Sequence, residues 1–320
     1  MSKVAVLNEF SIEAIRDALQ KIDSFAKFKV NGLNAYQLTE LESIDSELYK
    51  SVADKIKNGR WFPYVGVWSD SEELSETALI KSCLYSVRFF LDRFEKKYRV
   101  FHGKKIYNNM LPQIVYSSLF DAVVLDNENE SKWLHGADGF RTLLMVGDTV
   151  DVNDIDDEFI SANDFISYDE LADEFFDANL EIETVNLPAG NAVSNGIERN
   201  LINMEMNAAI KGENKTSEIR NKWIKYLSGS VSEISEVSTV KNDFDLHGDG
   251  VVLTEVKLAE DGSGDTVIRV SETKGKEQSA YIICNRLGAG FRFEIMPYEM
   301  PTFRISNDGN GFAKEIYICE

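Results

Sequence analysis

The chain has 320 residues and a formal net charge of −20, and 43% of its residues are hydrophobic, enough for a sizeable core and for two or three domains. With 54 acidic residues against 34 basic ones, no basic face is available to displace counterions from a phosphate backbone or to rest on an anionic membrane, so the expected partners include no nucleic acid and no membrane. No apolar run reaches the roughly 18 residues that span a bilayer. The opening MSKVAVLNEFSIEAI has no apolar signal-peptide core, and three scattered cysteines (Cys83, Cys284, Cys319) form no CxxC, so a reducing, cytoplasmic setting is expected.

In chain order, Lys3 to Leu7 reads as a short strand, and Ser11 stands at an N-cap position before the amphipathic run IEAIRDALQKIDSF. Phe28 to Val30 reads as a second strand. Thr39 is placed to cap a helix that continues to Gly59, a stop residue. Trp61 to Trp68 reads as a strand and Glu76 to Tyr98 as a long helix, with Leu79, Cys83, Val87, Phe90 and Phe94 near helical spacing. Ala122 to Leu125 and Thr142 to Val146 complete an alternation of strands and helices that predicts a parallel α/β arrangement. Asp148 to Asp177 is dominated by Asp and Glu and reads as a solvated surface stretch with one helix around Tyr168 to Phe176. Two helices, Ile197 to Ile210 and Ser217 to Leu227, precede the Ser-rich SGSVSEISEVSTVKNDFD, which reads as a linker. From Gly250 onward the alternating runs VVLTEVKLAE, DTVIRVSET and SAYIICN predict an antiparallel β domain. The expected organisation is an α/β barrel-like domain over 1–180, a helical region over 181–235 and a β domain over 236–320.

The three histidines, His102, His135 and His247, lie far apart in sequence, and none forms HxH or HExxH spacing, so a zinc site is not indicated by the residues. No GxSxG elbow and no phosphate-cradling glycine loop occur. The acidic cluster Asp70, Glu72, Glu73 and Glu76 has two readings. Carboxylates at the end of a barrel strand are placed for catalysis, and a pair of them suits glycoside hydrolysis. Alternatively, Ser71 to Ser75 caps the next helix, whose positive N-terminus favours acidic neighbours. Trp61, Trp68 and Trp133 are either stacking surfaces for sugar rings or packing residues.

Several stretches in order resemble the glycoside hydrolase family 38 α-mannosidases. They are GRWFPYVGVW with LSETALIKSCLYSVRFFLDRF, the preceding NAYQLTELESIDSELYKSVADKIKNG, YNNMLPQIVYSSLFDAVVL, WLHGADGFRTLLM, SNGIERNLINMEMNAA, NKWIKYLSG, and GVVLTEVKLAEDGSGDTVIRVSET with MPYEMPTFRI. The resemblance runs from Lys3 to Ile305 in a chain shorter than a usual member. It implies a truncated, distorted α/β barrel, a short helical region and a C-terminal antiparallel β domain.

The resemblance also implies retaining hydrolysis with one zinc ion, and here the sequence departs from the family. VAVLNEF ends in Asn8 and Glu9 where histidine and aspartate are expected. SDSEELSETA replaces the nucleophile loop, leaving Asp70 and Glu72 as candidates. IETVNLPAGNAVS lacks the expected acid, His and Arg, and SGSVSE after Leu227 lacks the expected His. Asp138, beside Gly139, is the one signature carboxylate kept. The expectation is therefore a non-catalytic relative with no cofactor, binding a glycan through Trp68, Trp133 and Asp138 or serving as a scaffold. The alternative is an active α-mannosidase-type hydrolase with a rearranged site, using Asp70 or Glu72 as nucleophile and Asp138 as partner. A shortened barrel would also leave strand edges for a second copy of the chain to cover, which makes a homo-oligomer a further expectation.

Overall fold

The computed structural model of the chain describes residues 2–69, 74–106, 109–178, 181–189, 193–231, 233–234, 243–308, 311 and 314–315. The first part alternates strands and helices: β1 (Lys3–Val6), α1 (Ile12–Ser24), β2 (Val30–Asn31), α2 (Ala35–Ile44), α3 (Ser46–Lys57), β3 (Trp61–Phe62), α4 (Glu76–Phe94), β4 (Val100–Gly103), α5 (Leu111–Ser117) and β5 (Ala122–Leu125). An antiparallel pair follows, β6 (Lys132–His135) and β7 (Arg141–Met145), then β8 (Asp148–Asp151), α6 (Asp157–Ala162), α7 (Tyr168–Asp177) and β9 (Thr184–Asn186). Helices α8 (Gly196–Lys211) and α9 (Thr216–Leu227) lead to β10 (Phe244–His247), β11 (Val251–Leu258), β12 (Thr266–Glu272), β13 (Gln278–Cys284), β14 (Ala289–Ile295), β15 (Thr302–Ile305) and β16 (Lys314–Glu315).

Strands β3-β2-β1-β8 form one sheet and β4-β5-β7-β6-β9 another. Two features join them into a ring. Gly66 makes a parallel bridge with His102 of β4, carrying the β3 edge onto the second sheet. A Cβ at Gly66 would sit 2.6 Å from the His102 carbonyl oxygen, and its φ of +152° lies in the range that favours glycine, so the approach needs this residue. On the other side, β7 pairs in parallel with β5, and after two intervening residues β8 pairs in parallel with β1. The last parallel strand thus returns the sheet to the first, and the barrel-like ring closes with this chain's own strands.

Period-two alternation sorts the strand residues between two faces. Ala5, Leu7, Phe101, Val123 and Leu144 pack with the surrounding helices in the main core. Val4, Val6, Val100, Val124 and Met145 share a second cluster with Tyr168 and Leu171 of α7. Helix α7 lies across the N-terminal ends of the strands. Asp169 accepts the N–H of Arg99, just before β4, at 3.1 Å, Asp173 pairs with the Arg99 guanidinium at 2.7 Å, and Glu170 pairs with Lys29, just before β2. Asn31 fixes it from inside: its amide donates to the carbonyls of Ala5 (3.3 Å) and Ile166 (3.2 Å) and accepts the Tyr168 N–H at 3.2 Å.

Four readings from sequence are corrected. The acidic stretch Asp148 to Asp177 is not merely a solvated surface. It supplies β8 and α7, and buries Val152, Ile155, Phe165, Tyr168 and Leu171. Its charges occupy one face while its apolar residues close the ring, which charge density alone conceals. Thr39 is not a cap: Asn34 is, in a reciprocal capping box with Gln37, and the helix breaks at Asp45, which caps α3. The Trp61 to Trp68 strand shrinks to Trp61–Phe62 plus the bridge at Gly66. The long helix stops at Phe94 because Glu95 adopts the left-handed conformation (φ 56°). Half of the predicted linker lies outside the described residues, and its last two residues, Phe244 and Asp245, open β10.

The C-terminal strands form two antiparallel sheets, β10-β13-β14 and β11-β12-β15-β16, around Val256, Ile268, Val270, Ile282, Ile295 and Phe303. The fold class read from the sequence holds: parallel α/β strands in a barrel-like ring, a helical stretch, and antiparallel sheets.

Candidate functional site

Two segments singled out by the sequence meet in space. Trp68 follows the β3 edge and leads into the acidic loop, and its indole N–H donates to the Ser228 hydroxyl at 3.0 Å. The Ser69 hydroxyl donates to the Leu227 carbonyl. The end of α9 is therefore stitched to the entrance of the acidic loop. Trp68 is 4% exposed, its ring set edge-on to Phe89 at 5.7 Å, and its own N–H donates to Ser82 at 2.6 Å. Asp70, Glu72 and Glu73 lie outside the described residues. Beyond them Ser75 caps α4 by accepting the Ala78 N–H at 3.3 Å, and Glu76 stands in the first turn. The Ser75 hydroxyl in turn donates to Glu198 of α8, whose carboxyl is pushed up by burial. Asn8 and Glu9, which follow β1, are exposed.

Asp138 sits in the turn between β6 and β7. Its Oδ1 accepts the Phe140 N–H at 3.1 Å. Burial pushes its carboxyl up to about 6 against these backbone donors, and the nearby Glu299 carboxylate adds to the shift. Glu299 and His135 are the titratable side chains that face it. Trp133 on β6 is half-buried, and the Arg141 guanidinium lies 5.0 Å over its ring.

An open cleft lies beside Trp68. A cleft of about 650 Å³ separates α4, α9 and the turn joining β11 to β12, with Trp68 and Phe89 on one wall and Arg220 and Asn221 on another. Behind it runs a buried ionic network. Lys81 of α4 pairs with Glu205 of α8 at 2.8 Å and with Glu255 of β11, and Glu255 pairs with Arg269 of β12. Arg269 also donates to the Thr302 hydroxyl at 3.0 Å. Lys257 pairs with Glu260 at 3.2 Å, and its ammonium is pushed down to about 8 by burial and by the Lys81 charge. The network ties the barrel-like region, the helical stretch and the β sheets at one place.

No protein-family model and no curated protein matches the chain. Solved structures do. A glycosyl hydrolase family 38 protein from Enterococcus faecalis aligns with a TM-score of 0.53 and 9% identity, covering 95% of this chain and 53% of its own. An α-mannosidase from Enterococcus faecalis V583 aligns at a TM-score of 0.49 and 8% identity, over 95% of this chain and 55% of its own. A 4-α-glucanotransferase from Thermococcus litoralis reaches 0.44 at 10% identity, over 72% and 48%. The likeness is one of fold. The chain spans about half the length of the first two structures.

A zinc site needs three or four ligands converging on one point. Among the described residues no group of three or more His, Cys, Asp or Glu is placed to hold a metal ion. His102 lies on β4, stacked on Tyr64 at 3.5 Å with its Nε2 3.1 Å from Asp126; His135 faces Asn186 at 3.1 Å; His247 stands on β10 beside Tyr281. Among the described residues, too, no helix is long and apolar enough to cross a membrane.

Sequence reasoning missed the ionic network. A signal was present. Lys81 interrupts an otherwise apolar helix segment, and Glu255 and Lys257 alternate with Val256 in a strand whose both faces are buried.

Proposed function

We propose that this chain is a family 38-type frame that lacks the family's zinc chemistry and acts as a carbohydrate-binding or scaffold protein. One observation carries this reading. The segment after Leu227, where the resemblance puts a zinc-binding imidazole, reaches the entrance of the nucleophile loop, and the group it brings there is the Ser228 hydroxyl, bonded to the Trp68 indole. A serine hydroxyl hydrogen-bonded to an indole does not replace an imidazole as a zinc ligand. Asp138, the carboxylate that the resemblance retains, is engaged in its own turn.

The test is direct. Purified protein supplied with zinc is assayed on an aryl α-mannoside between pH 4 and 8, with zinc binding followed by titration calorimetry. The expected result is no turnover and no tight equimolar zinc, together with saturable binding of a neutral mannobiose. Turnover that is abolished by Asp70→Asn or Glu72→Gln would replace this reading with the hydrolase one.

A further inference from the structure

We propose that the cleft between α4, α9 and the β11–β12 turn is a binding site for an acidic saccharide, with its carboxylate held by Arg220. The inference rests on the carbohydrate-binding reading above and names the place and the ligand class.

Size and position come first. At about 650 Å³ the cleft is within the range of small-molecule sites, and it lies where three structural regions meet, a common place for such sites. It adjoins the meeting point of the Ser69 and Ser228 loops through Trp68 and extends from there between the last turns of α4 and the face of α9 that carries Ser217, Arg220, Asn221 and Ile224.

Charge then selects the ligand. Most charged groups on the walls are already matched within the protein. Glu260 pairs with Lys257 at 3.2 Å and Asp261 with Arg304 at 2.6 Å, while Arg93 pairs with Glu42 at 2.5 Å and meets the Tyr49 hydroxyl at 2.9 Å. Arg220 is different. It pairs with no carboxylate among the described residues, and its guanidinium lies 5.5 Å over the ring of Tyr85. Stacking on an aromatic face fixes the plane of a guanidinium and leaves its N–H edge free for a two-point contact with a carboxylate. Asp92 on α4 is the one lining carboxylate with no such match among the described residues. Among the described residues Arg220 is the lining cation without an ion-pair partner, and a single guanidinium in a cleft that also holds the Asp92 carboxylate favours a ligand with one negative charge over a phosphate dianion, with ligand hydroxyls donating to Asp92.

The remaining walls suit a sugar ring. Asn214, Asn221 and Ser217 offer donors and acceptors together, which is what hydroxyl groups require. Trp68 and Phe89 supply an apolar wall for the C–H face of a ring.

The experiment is calorimetric titration of the whole chain with two probes, a disaccharide ending in glucuronic acid and a neutral mannobiose. The wild type should bind the acidic probe more tightly. Arg220→Gln should weaken the acidic probe by about 10- to 100-fold, the size expected for a charged hydrogen bond, and remove the preference. Asn221→Ala, at an exposed helix position, should weaken both probes. If mannobiose binds and the acidic probe shows no preference, or Arg220→Gln leaves it unchanged, this inference is overturned while the carbohydrate reading stands. If neither probe binds at millimolar concentration, both fail. Should Arg220→Gln not fold, Asn221→Ala decides: unchanged binding of the acidic probe overturns the site.

Discussion

Lys81 is the most informative side chain to remove. Its ammonium is 1% exposed and stands between the carboxylates of Glu205 and Glu255, whose side chains are 5% and 0% exposed. In Lys81→Met, Glu255 keeps Arg269, but Glu205 loses its one ion-pair partner among the described residues while staying out of water. Stranding a buried charge in this way costs about 3–5 kcal/mol. The cost comes from the charge left behind, so Glu205→Gln added to Lys81→Met should recover part of it, roughly 1–3 kcal/mol. Urea unfolding followed by tryptophan fluorescence and far-UV circular dichroism measures both. Trp223 reports locally, because the Lys81 ammonium lies 5.7 Å over its ring. Since the network joins α4, α8 and the β sheets, the single variant should also unfold less cooperatively, seen as a lower denaturant slope or a split transition. A loss below about 1 kcal/mol, or a double variant less stable than the single one, would refute the account.

Three further outcomes follow from the same geometry. The Asp138 carboxyl is pushed up to about 6 from an ordinary value of 3.8, so the folded state holds its proton more tightly than the unfolded state does. Stability from this group is therefore intact below pH 4, falls as pH rises to 6 and is then flat, a loss of about 3 kcal/mol at most. Asp138→Asn, which keeps the Phe140 contact, should flatten urea midpoints across that window. Gly66→Ala places a Cβ 2.6 Å from the His102 carbonyl oxygen and 2.9 Å from its nitrogen, so melting should drop by several degrees or soluble yield should collapse, and an unchanged Tm would count against the ring closure described. Asn31→Leu strands the Ala5 and Ile166 carbonyls and the Tyr168 N–H, at a cost of about 1–3 kcal/mol per buried group, and hydrogen exchange in α7 should accelerate.

Much of the fold was legible because it is written in local signals. Ser11 as the cap of α1, the apolar spacing of α4, the bounds of β5 and the alternation after Gly250 all read directly from residue type and period. What was hidden is long-range. The pairing of β8 with β1 joins residues about 145 positions apart, and no periodicity announces such a partner. The acidic run around α7 misled because surface charge and a buried seam share the same helix. Its outward carboxylates dominate the composition, while Tyr168, Leu171 and Ala172 do the packing. For the site, the sequence located the Trp68 loop and the end of α9 as places of interest, but could not say that Ser228 would reach the Trp68 indole, nor that a cleft would open beside them.

The ionic network and the cleft are two consequences of one arrangement. Burying Lys81, Glu205, Glu255 and Arg269 gives little net stability compared with apolar side chains of the same volume, because desolvation cancels most of the attraction. Its effect is on geometry. An apolar contact between α4, α8 and β11 would tolerate sliding, whereas carboxylates that must each meet a cation do not. Two of these elements, α4 and β11, also lead into walls of the cleft, and the third wall, α9, packs against α8, so the network is expected to hold Arg220 on α9 at its distance from Phe89 and the β11–β12 turn. An all-apolar replacement, Lys81→Met with Glu205→Leu, Glu255→Leu and Arg269→Met, separates the two roles. Stability within about 2 kcal/mol of wild type is expected, with at least a tenfold loss of affinity for the acidic disaccharide. Retained affinity in that variant would mean that packing alone holds the cleft, and that the charges play no part in its shape.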